Sequence, residues 1–128
     1  MKIVATVARY LLGLIFLVFG LNNFLHFIPT GPMPAGPAGE FATLMLTSHY
    51  MAAVGLFQVA SAVLFLVNRY VPLALVLLGP VLVNILIFHI LLAPATIPMG
   101  LFATILWLLI AYRVRSSFEG LFQPRSQE

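Results

Sequence analysis

The chain has 128 residues, 62% hydrophobic and 7% charged, with six Lys or Arg against three Glu and a formal net charge of +3. A water-soluble fold would lack polar surface at that composition, and in lipid only helices or closed barrels satisfy the backbone. The apolar runs are continuous rather than alternating, which excludes a barrel and leaves an all-α integral membrane four-helix bundle.

Lys2 and Arg9 precede the first apolar stretch, Tyr10–Ile28. It is too long for a secretory signal, and Gly20-Leu21-Asn22-Asn23 offers no small-x-small cleavage site, so a retained first span is expected. Pro29–Ala42 follows, with four prolines and three glycines that argue against a regular helix. An outer loop is expected there, folded back over the bundle through Met33 and Phe41. The second span is His49–Val67. The short turn after it, Asn68-Arg69-Tyr70, makes the second and third spans antiparallel neighbours. The third span, Val71–Leu92, opens with Pro72, where a missing donor is harmless, and carries Pro80 inside it, where a kink is expected. The fourth span is Pro98–Tyr112, extended backwards through Ala95, and residues 113–128 form an amphipathic tail with aromatic anchors and phosphate-facing arginines. Each span is about long enough for a hydrocarbon core of ~30 Å at ~1.5 Å per helical residue. The whole chain is one four-helix domain.

With four crossings, all six basic residues (Lys2, Arg9, Arg69, Arg113, Arg115 and Arg125) fall on one side of the membrane. Lys and Arg accumulate in cytoplasmic loops, so both termini are expected to be cytoplasmic. The net charge therefore reflects topology, and no nucleic-acid partner is read from it.

The same threading groups the histidines by depth. His26 lies seventeen residues beyond Arg9, and His49 and His89 lie twenty on either side of Arg69, which puts each ~25–30 Å from the basic surface. Asn22 and Asn23 fall near the same face of the first span as His26, Asn84 lies about a turn deeper than His89, and Gln58 and Ser61 enter from the second span. Polar groups that persist in lipid are paired and usually face the bundle interior. Asn22, Gln58 and Asn84 are accordingly interhelical hydrogen-bonding groups or the lining of a pocket for a quinone or lipid, and His26 and His89 join them as candidate binding residues. Haem or pigment ligation would use a histidine, with His89 best placed, but no pair has the i, i+3 or i+4 spacing and no intramembrane carboxylate supports one. No catalytic or metal-ligating set is assigned. The chain contains no Cys, which excludes disulfides and thiol relays, and no Asp, which excludes a Ser-His-Asp triad. Gly13, Gly20, Gly55 and Gly79 are expected to be close-packing points between helices.

Three segments carry a family resemblance. They are Leu11-Leu12-Gly13-Leu14-Ile15-Phe16-Leu17-Val18-Phe19-Gly20-Leu21-Asn22, Asn68-Arg69-Tyr70-Val71-Pro72-Leu73-Ala74-Leu75, and Gly79-Pro80-Val81-Leu82-Val83-Asn84-Ile85-Leu86-Ile87-Phe88-His89. Together they resemble the DoxX family of small four-helix bacterial membrane proteins, the last segment most specifically. Gln58 stands where many relatives have a Glu, so a carboxylate-dependent role is not implied. The resemblance implies residence in the bacterial inner membrane and association with quinone-linked electron-transfer assemblies. There the chain would support or anchor other subunits, or self-associate; the resemblance does not imply that the chain is itself catalytic, and direct quinone reduction by it is the alternative reading.

Overall fold

A computed structural model describes residues 1–29 and 31–125. Its helices are α1 (Lys2–Leu25), α2 (Pro37–Thr47), α3 (Tyr50–Val67), α4 (Val71–Leu91) and α5 (Ile97–Arg113). A 3₁₀ turn, Pro94–Thr96, leads into α5, and a 3₁₀ segment, Arg115–Phe122, follows it. Four helices are long and apolar enough to cross a membrane: α1, α3, α4, and α5 counted from Pro94. They close into a ring in which α1 packs on α3 and α5, and α4 packs on α3 and α5.

Four expected boundaries are corrected. The first helix starts at Lys2, not Tyr10, because Ala5, Ala8 and Arg9 already pack inside the bundle. It stops before Ile28 because His26 turns into the left-handed region, at φ 51°. Pro29–Ala42 is not wholly irregular, since α2 begins at Pro37, whose missing N–H is harmless in a first turn. Gly39 is needed where α2 passes Pro34, because a Cβ there would collide with the Pro34 carbonyl oxygen. Thr30 of this stretch, like residues 126–128 of the tail, lies outside the described residues. His49 is not helical either; at φ 62° it makes the corner between α2 and α3.

Lipid supplies no hydrophobic force between helices, so close approach of backbones has to hold them. The α1–α3 seam shows this. A Cβ at Gly13 would lie 2.8 Å from Leu66 Cγ, one at Gly20 would lie 2.9 Å from Val59 Cγ2, and one at Gly55 would lie 3.0 Å from the Gly20 carbonyl. Gly79 departs from the expectation, its nearest neighbour being Trp107 at an ordinary 3.6 Å. Ala8, Leu12, Phe16, Ala62, Phe65, Ala74, Leu75 and Leu78 fill the centre, while large apolar side chains such as Leu14, Leu56, Val83 and Leu108 cover the outside. That inversion of the water-soluble pattern suits a lipid surround.

Two polar anchors hold the ring. Arg9, 9% exposed, donates from Nη1 to the Phe65 carbonyl in the last turn of α3, where the helix dipole presents partial negative charge. Asn68 then ends α3 in the left-handed region at φ 55°, and the Arg69 amide donates back to the Leu64 carbonyl at 3.2 Å. Across the ring, Trp107 Nε1 donates to the Leu75 carbonyl at 3.0 Å and ties α5 to α4 just before Pro80. The α4 helix continues through Pro80 to Leu91.

This threading puts the start of α1, the α3–α4 turn and the end of α5 at one end of the bundle. Lys2, Arg9, Arg69, Arg113 and Arg115 all belong to that end.

Candidate functional site

A cavity of about 750 Å³ opens between α3 and α4 at the end of the bundle opposite the basic residues. From α3 it is lined by Tyr50, Met51, Val54, Phe57 and Gln58, from α4 by residues between Pro80 and Leu91, and from α2 by Phe41 and Met45. Phe41 reaches it because α2 lies back on the bundle, its ring centroid 5.3 Å from that of Phe88. The expected fold-back is thus present through Phe41, carried by a helix rather than a loop. Met33 stays exposed.

The lining is apolar except for a few groups, of which Gln58, Asn84 and His89 are the polar members among the candidate residues. Gln58 is 5% exposed, and its Oε1 accepts from Asn23 Nδ2 at 2.8 Å, which fastens α3 to α1. Gly20 makes the room, since a Cβ there would lie 3.0 Å from Gln58 Cβ. Among the described residues Gln58 Nε2 has no partner, and no buried side-chain nitrogen or oxygen is left unsatisfied. The Nε2 donor therefore keeps exposed surface, and the cavity is the space Gln58 lines. Asn84 Nδ2 donates to the Pro80 carbonyl at 2.8 Å, one turn back on its own helix. Asn84 is exposed, so it is not the interhelical tie that the sequence suggested; its Oδ1 is free to accept among the described residues.

His89 is half-buried, with Nδ1 2.7 Å from the Ile85 carbonyl. A carbonyl can only accept, so Nδ1 carries a hydrogen, and in the neutral ring Nε2 is left as an acceptor. The edge of the ring meets Phe88 at 5.2 Å. Gly100 lets α5 approach α4 beside this ring, since a Cβ there would lie 3.2 Å from Ile85 Cγ2 and at an ordinary contact distance of 4.0 Å from His89 Nδ1.

Asn22 and His26 do not join this site. Asn22 Oδ1 accepts from the Ile28 amide at 2.8 Å and so caps the chain as it leaves α1, neither tying helices together nor lining the pocket. His26 is exposed at the same corner. The shared depth of the three histidines does not become convergence, and among the described residues no three His or carboxylate side chains come together as a metal set. The sequence singled out Gln58, Asn84 and His89 but not Asn23 as the Gln58 partner, although its position three residues after Gly20 on the same helix was legible. Met45, as a wall of the site, follows only from the unforeseen α2, whereas the return of Phe41 onto the bundle was expected.

Chemically, the site offers an apolar slot of a size suited to a small molecule, with an amide donor, an amide acceptor and an imidazole nitrogen on its walls. No family model, curated protein or solved structure matches the chain.

Proposed function

We propose that this is a multi-pass subunit of a bacterial inner-membrane, quinone-linked redox assembly, in which the α3–α4 cavity holds a quinone ring. One observation carries the reading: Gln58, Asn84 and His89 line a single, largely apolar cavity of about 750 Å³ within a bundle of four membrane-length helices. A quinone matches that lining, since its ring and tail are apolar and its carbonyls accept from a donor such as Gln58 Nε2. Once reduced, its hydroxyls donate to an acceptor such as His89 Nε2 or Asn84 Oδ1. The chain has no cysteine to carry a thiol relay, so in this reading electrons come from a partner subunit. The resemblance to DoxX proteins supports the same setting and remains part of the proposal.

The test is purification from the native host in a gentle detergent, with an absorption spectrum and mass spectrometry of protein and extracted lipid. Quinone retained near one per chain, together with oxidoreductase subunits, is the expected result. A haem or pigment band would transfer the site to a ligating His89, and extraction of phospholipid alone would remove the quinone.

A further inference from the structure

A second cavity, also about 750 Å³, lies at the basic end of the bundle, between α5 and the 3₁₀ segment Arg115–Phe122. Its wall on α5 includes Ile105, Leu108, Leu109 and Tyr112, at the i, i+3, i+4, i+7 spacing of one helix face, with Trp107 and Ala111 beside them. Phe118 and Phe122 close it from the tail. The tail is held over this face rather than free, because Phe118 packs against the buried core. Among the described residues the lining carries one charged residue, Arg115, and no acidic one.

Arg115 is fixed at the rim. Its Nη1 donates to the Tyr112 carbonyl at 2.8 Å, and its guanidinium carbon stands 4.3 Å from the centre of the Tyr112 ring. An arginine has five N–H donors, and one is used here. The residue is exposed, so the remaining donors face outward. Arg113, two residues earlier, is exposed at the same end.

We propose that this groove binds an anionic phospholipid of the surrounding bilayer, with an acyl chain along Ile105, Leu108 and Tyr112 and the phosphate on Arg115. Charge selects the occupant. An apolar trough that ends in a pre-oriented guanidinium, with no carboxylate among the described residues of its lining, complements a ligand that is a hydrocarbon chain at one end and an anion at the other. The site lies at the opposite end of the bundle from the α3–α4 cavity and does not depend on its occupant.

The full chain, delipidated in detergent, can be titrated separately with phosphatidylglycerol and phosphatidylcholine of the same acyl chains and followed by native mass spectrometry. Phosphatidylglycerol should bind at one per chain and more tightly than phosphatidylcholine. Arg115→Gln should weaken phosphatidylglycerol about fivefold, the value of roughly 1 kcal/mol for one basic residue facing an anionic headgroup, and leave phosphatidylcholine unchanged. Leu108→Trp, a lipid-facing change that fills the trough without touching the core, should weaken both lipids. Equal binding of the two lipids by the wild type would overturn the proposal, as would phosphatidylglycerol binding indifferent to either substitution. A dimer that Leu108→Trp dissociates would assign the groove to a second copy and overturn it as well.

Discussion

Asn84 and Gln58, both amides in the same cavity, should respond differently to removal because only one of them joins two helices. Gln58 Oε1 accepts from Asn23 on α1, so Gln58→Leu strands that donor and should lower stability in detergent by about 0.6–2 kcal/mol. Among the described residues Asn84 bonds only its own helix, so Asn84→Leu should stay within about 0.5 kcal/mol of wild type while reducing quinone retention. Thermal unfolding beside quantitation of retained quinone checks both, and an Asn84→Leu protein destabilised as much as Gln58→Leu would contradict the assignment. Arg9 belongs to the same scale. Its guanidinium satisfies a terminal carbonyl of α3 from inside the bundle, so Arg9→Leu should destabilise by about 1.5–3 kcal/mol, as expected for a hydrogen bond from a charged group. Unfolding at the wild-type temperature would show that the Phe65 carbonyl finds another partner at no cost.

The helices were legible because each of the four spans is a long apolar run with a Pro, Asn or basic residue near its ends. What escaped was whatever the apolar pattern does not encode. Arg9 looked like a flanking charge, yet α1 extends past it, because an arginine can sit in a helix if a neighbouring helix end accepts its proton donors. The Pro- and Gly-rich connection hid α2, since composition counts prolines without noting that Pro37 stands where a helix tolerates one. Similarly, depth along each span was computable, but the direction of each side chain was not, which is why Asn22 and His26 fell outside the site while Gln58, Asn84 and His89 line it. The glycine expectation held where glycines face another backbone and not where one faces an indole. Gly20→Val should therefore force α1 from α3 and lose about 1–3 kcal/mol of stability, whereas Gly79→Ala should be nearly neutral. Equal effects in a detergent unfolding series would mean that the α1–α3 seam is not the tight one.

For the molecule as a whole, the ring of four spans gathers the basic residues at one end and the proposed quinone cavity at the other. In the proposed orientation, with the basic end cytoplasmic by the positive-inside rule, the cavity would lie toward the outer leaflet. Because the chain has no cysteine, single cysteines at Met33 and Gln123 can report the arrangement directly. An impermeant thiol reagent applied to intact cells should label Met33→Cys, and should reach Gln123→Cys only after the membrane is opened. Labelling of both from outside would break the four-span topology. The central claim, a quinone ring between α3 and α4 beneath α2, is tested most directly by photo-crosslinking in native membranes with an isoprenoid benzoquinone carrying a diazirine. The account predicts adducts on α3 and α4 peptides spanning Val54–Gln58 and Val81–His89, suppressed by excess unmodified quinone and lost when Val54→Trp fills the cavity. Adducts spread over the lipid-facing sides of all four spans, insensitive to both competitor and substitution, would contradict it.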